Sequence, residues 1–235
     1  MNKWLLLSLL VTHIIGDYYA QSDTLCQQKE IHKGKSLFLY IHALIIGILS
    51  WAVVWQTGFI VYAAVIALLH GLVDWIKSHL RQNLSVFLAD QLLHLAVLVA
   101  VSGLYAIPEK LPIQMLGSFH DISIPLFLVG LMLCGKPTNI LIKFILKKYR
   151  IGIGEACEDM KNAGALIGNL ERILTVLFVL IGQYEAIGFI IAAKSLLRFK
   201  ETDTAKTEYV LAGTFLSFGI AIIIGLTVKG MSAFF

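Results

Sequence analysis

The sequence predicts an all-α, polytopic transmembrane helical bundle of about eight membrane helices, and three observations carry that prediction. The chain has 235 residues, 58% of them hydrophobic and only 14% charged, and its mean hydropathy is +0.81. A water-soluble globular domain carries about 25% charged residues. Apolar stretches long enough to cross a hydrocarbon layer of about 30 Å recur from one end of the chain to the other. No stretch between them is large enough for a separate soluble domain.

The expected helices cover residues 3–20, 36–55, 58–78, 84–106, 122–146, 164–183, 186–199 and 208–228. The first resembles a signal peptide, with Lys3 ahead of Trp4-Leu5-Leu6-Leu7. Tyr18, however, stands where a small residue is needed before Ala20, and cleavage would discard His13 and Asp17, so the segment is expected to be retained. The seventh helix is short, which suits a tilted, re-entrant or bundle-interior position. A loop from Ile107 to Pro125 holds Pro108, Pro112 and Pro125. It divides a four-helix half, 1–106, from a C-terminal half, 107–235, the two together forming one membrane domain.

The basic residues sit at helix ends and set the orientation. With the loop after the first helix on the cytoplasmic side, Lys29, Lys33, Lys35, Lys77, Arg81, Lys143, Lys147, Lys148, Arg150, Lys161, Lys200 and Lys206 all lie inside, and only Lys3, Lys110 and Lys229 lie outside. The positive-inside rule therefore predicts both termini outside. The net charge of +4 forms no basic stripe with interleaved aromatics, so a nucleic-acid partner is not expected. The lipid bilayer is the expected surrounding.

Ionisable residues inside these helices follow a pattern. His13 with Asp17, His70 with Asp74, and Asp90 with His94 are each four residues apart, a spacing that stacks both side chains on one helix face. The predicted topology places all three pairs, and His42 early in the second helix, in the cytoplasmic half of the membrane. Gly16 and Gly71 lie beside the first two motifs, where small residues allow helices to approach closely. Intramembrane polar pairs of this kind lock helices together. Three pairs of nitrogen and carboxylate donors at one depth also make a metal site. Seven candidate ligands follow: His13, Asp17, His42, His70, Asp74, Asp90 and His94. Donors without a thiolate suit zinc first, then manganese or iron, as one ion or as two with bridging carboxylates. Asp74 or Asp90 is the candidate catalytic base. Gln21 and Gln91 are placed to orient the ligands from outside, while His79 and His120 read as surface residues.

The C-terminal half carries another set. Arg172 follows Glu171, and Lys194 and Arg198 lie one turn apart. One reading is ion pairing across the bundle and snorkelling at a helix end. The other is an anion-binding wall of Arg172, Lys194 and Arg198 that takes a phosphate or carboxylate. Cys26, Cys134 and Cys157 show no C-x-x-C spacing and are expected to be free thiols.

The motifs His13-Ile14-Ile15-Gly16-Asp17 with Gln21, His70-Gly71-Leu72-Val73-Asp74 with Lys77, and Asp90-Gln91-Leu92-Leu93-His94 resemble the bacterial domain-of-unknown-function 3307 family over roughly the first 100 residues. The resemblance implies a prokaryotic inner-membrane protein and no particular reaction. Chemistry therefore rests on the residues. The leading expectation is a membrane-embedded metal-dependent hydrolase acting on an anionic lipid or phosphoester. A metal-ion or proton-coupled transporter and a metal-stapled, non-catalytic scaffold are the alternatives.

Overall fold

The computed structural model describes residues 2–21, 33–106, 110–151, 158–197 and 204–235. The described residues are almost wholly helical. The helices are α1 (Lys3–Ile14), α2 (Leu37–Val54), α3 (Ile60–His79), α4 (Leu84–Leu104), α5 (Ile124–Cys134), α6 (Lys136–Lys148), α7 (Glu158–Ile181), α8 (Tyr184–Leu197) and α9 (Thr204–Ser232). Six spans among the described residues are long and apolar enough to cross a membrane: Leu37–Val54, Thr57–His79, Leu84–Leu104, Ile124–Lys148, Gly164–Ile181 and Thr207–Ser232. Helices α1 and α8, 12 and 14 residues long, are shorter than these.

The chain divides into two compact units, residues 1–118 together with Phe235, and residues 119–234. The proline-rich loop suggested a boundary near residue 107, about a dozen residues earlier. The difference has a packing cause: Leu111 is 1% exposed and joins the core of the first unit, with Ile113 packed against it.

In the first unit α1, α2, α3 and α4 pack in an up-and-down ring, α1 touching both α2 and α4. Two starts are well capped. Asn2 Oδ1 accepts from the Trp4 and Leu5 amides at 3.0 and 3.1 Å, and Asn83 Oδ1 accepts from the Val86 amide at 2.9 Å, satisfying donors that a helix N-terminus leaves open. One end of the ring is a largely apolar core built from Leu5 and Leu9 of α1, Ile46 and Val54 of α2, Phe59, Ala63 and Ile66 at the start of α3, and Leu98 and Val101 of α4, with Ser8, Ser50 and Ser102 buried on the same helices. Among the described residues, the buried ionisable side chains of this unit all lie at the other end.

The lateral surface is apolar. Along α3 the buried residues are Ala63, Ile66, His70 and Asp74, whereas Val61, Leu68, Leu72 and Ile76 are about half exposed or more. Polar inside and apolar outside is the arrangement a helix adopts against lipid. Close approach of α2 and α3 depends on small residues: a Cβ on Gly47 would lie 2.8 Å from Ala67 Cβ, and one on Gly71 would lie 3.1 Å from Ala43 Cβ. A Cβ on Gly16 would collide with the Ile46 side chain, so both glycines flanking the motifs stand at tight crossings.

In the second unit α9 packs on α5, α6 and α7, with Val179, Ile187 and Phe218 at the core. The fifth expected helix, 122–146, is broken at Gly135, where the backbone leaves helical values (φ −84°, ψ −126°). Pro137 supplies no amide to the Leu133 carbonyl, and the Thr138 hydroxyl bonds that carbonyl instead at 2.6 Å. The neighbouring Cys134 carbonyl accepts from Arg172 Nε at 2.5 Å. Carbonyls freed in an apolar layer require such partners.

Candidate metal centre

At the polar end of the first unit, four helices deliver histidine and aspartate side chains to one place. His13 comes from the end of α1, His42 from the first turns of α2, His70 and Asp74 from the end of α3, and Asp90 and His94 from the first half of α4. Asp17 lies just beyond α1 in a π turn, Ile15–Tyr19, closed by the Ala20 amide on the Ile15 carbonyl at 2.7 Å. A π turn holds one residue more than an α turn and recurs at functional sites.

Asp17 is the hub. Its Oδ1 lies 3.1 Å from His42 Nε2 and 3.3 Å from His70 Nε2, and those two nitrogens are 3.0 Å apart. Its Oδ2 faces His13 Nε2 at 3.8 Å. Donor atoms bound to one ion at about 2.0–2.1 Å in tetrahedral directions stand about 3.3 Å apart, so the Asp17, His42 and His70 triangle has the dimensions of a ligand set. Two further triads, His13, Asp17 and His94, and His70, Asp74 and His94, have donor atoms within 4.8 Å of one another. The rings are packed together: centroids are 4.1 Å apart for His70 and His94, 5.0 Å for His42 and His70, and 5.1 Å for His13 and His94.

His42, the candidate ligand that has no i, i+4 acidic partner in the sequence, stands against Asp17 and His70. Gln21 holds it from the side, with the amide nitrogen 2.7 Å from His42 Nε2 and 3.0 Å from Nδ1. His94 is 2% exposed, and neither of its ring nitrogens has a hydrogen-bond partner. Buried polar atoms of this kind are rare in native structures, where an ordered water, a ligand or an ion commonly serves them.

Asp90 is set apart from the triads. Its Oδ2 accepts from Lys77 Nζ at 2.7 Å and from Gln91 Nε2 at 2.9 Å, and its Oδ1 is 3.7 Å from His94 Nδ1. Gln91 therefore touches Asp90 instead of a histidine. Lys77, three residues after Asp74 on the same helix face, is the cationic partner of Asp90, a residue whose sequence position suits either the cytoplasmic interface or an anion contact. Asp90 is buried and Lys77 partly exposed, so removing the ammonium strands a buried carboxylate: Lys77→Met should lower stability by roughly 3 kcal/mol, and Lys77→Met with Asp90→Leu should recover most of it. Denaturant unfolding of the detergent-solubilised chain measures both, and an unaltered Lys77→Met variant would contradict the pairing.

The C-terminal set has protein partners within the second unit. Arg172 is 2% exposed. Besides the Cys134 carbonyl, it donates to Ser217 Oγ at 2.8 Å, Asn139 Oδ1 at 2.5 Å and Asn169 Oδ1 at 2.6 Å. Lys194 Nζ meets Glu171 Oε2 at 2.6 Å. Arg198 lies outside the described residues, as do Cys26 and Cys157, while Cys134 is a buried free thiol. His79 and His120 are exposed.

No curated protein and no solved structure matches the chain. Residues 5–116 match the model of a family described as a protein of unknown function, DUF3307. The match spans the four helices, the π turn and the loop that buries Leu111, and so contains every member of the His/Asp cluster. The four-helix unit that carries the cluster belongs to the DUF3307 family.

Proposed function

We propose that the protein is a membrane-embedded, metal-dependent hydrolase whose His/Asp site opens toward the cytoplasm and acts on an anionic lipid or phosphoester. The observation that carries this reading is the convergence of Asp17, His42 and His70 at 3.0–3.3 Å, with further donors from His13 and His94 packed around them. Imidazole and carboxylate donors without thiolate suit zinc, with manganese or iron as the next choices. A divalent cation held there supplies Lewis acidity and brings the pKa of water toward neutrality.

The chain's own residues complete the chemistry. Asp74, 3.9 Å from His42 Nε2, takes the role of base, because Asp90 already has the Lys77 ammonium against it. Gln21 keeps the His42 ring in place. In this reading the chain crosses a bacterial inner membrane eight times, α1 and α8 being the short crossings, with both termini outside. The end of the first unit away from the cluster favours a one-sided reaction site over a transport path, since its buried polar groups are the hydroxyls of Ser8, Ser50 and Ser102, and no ionisable side chain is buried there among the described residues.

The test uses the full chain reconstituted in vesicles of phosphatidylethanolamine and phosphatidylglycerol, loaded with zinc or manganese, with lipid products read by mass spectrometry. Metal-dependent release of a headgroup or phosphate is expected, lost in Asp74→Asn while metal stays bound. Divalent-cation flux without lipid turnover would replace the hydrolase by a transporter. Metal bound with neither turnover nor flux would leave a structural staple.

A further inference from the structure

We infer that the site holds two divalent cations, bridged by the carboxylate of Asp17. This rests on the metal-site reading above and specifies its nuclearity. The two oxygens of Asp17 face different partners: Oδ1 lies against His42 and His70, and Oδ2 lies toward His13. The first position is the Asp17 Oδ1, His42 and His70 triangle. The second is the triad of Asp17, His13 and His94, whose donor atoms fall within 4.8 Å of one another.

An independent observation points to the second position. His94 is buried at 2% exposure with both ring nitrogens unbonded, and its ring packs against those of His13 and His70. A single ion in the first position leaves that imidazole unsatisfied in an apolar bundle, which is costly. An ion in the second position gives it a bond; one in the His70, Asp74 and His94 triad would do so too, but would draw on His70, already committed to the first position, and on the carboxylate of Asp74. Asp74 stays outside both ligand sets, beside His42, where a carboxylate serves proton transfer. Two ions sharing one carboxylate form the clamp that stabilises the attacking and leaving oxygens of a phosphoester displacement.

The experiment is a Mn²⁺ titration of the full-length protein in detergent, with bound metal counted by elemental analysis and the spins examined by electron paramagnetic resonance. Two equivalents per chain and an exchange-coupled signal are expected. His94→Ala should bind one equivalent and show an uncoupled six-line signal, and His42→Ala should do the same while keeping the other position. One uncoupled equivalent in the unaltered protein would overturn the second position and leave the hydrolase reading standing; no bound metal would remove both. The count and signal of the unaltered protein decide the matter even where a variant fails to fold.

Discussion

Asp17→Asn is expected to weaken zinc binding by more than about 100-fold, beyond the roughly 10- to 100-fold loss seen when an outer-shell partner of a ligand is removed. The substitution keeps the shape of the side chain but replaces one acceptor oxygen with a donor amide nitrogen and removes the charge that faces three histidines: His42 at 3.1 Å, His70 at 3.3 Å and His13 at 3.8 Å. Gln21→Ala supplies the contrast. It removes the lateral hold on His42 without removing a donor from any of the three triads, and should fall within the outer-partner range. Competition against a chromophoric chelator measures both. Equal affinities for Asp17→Asn and the unaltered chain would mean that the cluster is a hydrogen-bonded knot.

Arg172→Leu is expected to destabilise the protein by roughly 3 kcal/mol, because four acceptors lose their donor in a buried place. These are the Cys134 carbonyl, Ser217, Asn139 and Asn169. Arg172→Lys should recover only part of the loss, since one ammonium cannot reproduce the planar fork of donors. Unfolding by denaturant in detergent micelles reads the effect. A fully stable Arg172→Leu chain that had lost affinity for inorganic phosphate would instead make Arg172 an anion ligand.

Composition and apolar run length made the helical class readable, since lipid imposes length and hydropathy directly on the sequence. The i, i+4 spacing and the charge asymmetry together placed His13, His70, Asp74, Asp90 and His94 at one end of the first four helices, where the structure has them. What the spacing left open was which atoms meet. His42 has no partner in sequence, and its central position follows from the ring order of α1 to α4, a tertiary property. Asp90 has the same spacing signature as Asp74, yet Lys77 reaches it across α3 and α4, and no local pattern encodes that reach. The break at Gly135 was marked by Pro137, two residues on; that the freed Cys134 carbonyl would find Arg172, 38 residues away, was not.

The π turn at Ile15–Tyr19 has a genetic consequence. Such a turn is an α-helix carrying one surplus residue, so loss of a single codon within it would let the backbone close into regular α geometry. The helix would survive, and Gln21 would keep roughly its facing, because the bulge is what absorbs the surplus residue; what would change is the placement of Asp17 inside the turn, relative to His42 and His70. Many single-residue deletions in a helix are destructive because they break it; this one would mend the helix and disable the site, and insertion of any one residue nearby would restore the bulge in a new register.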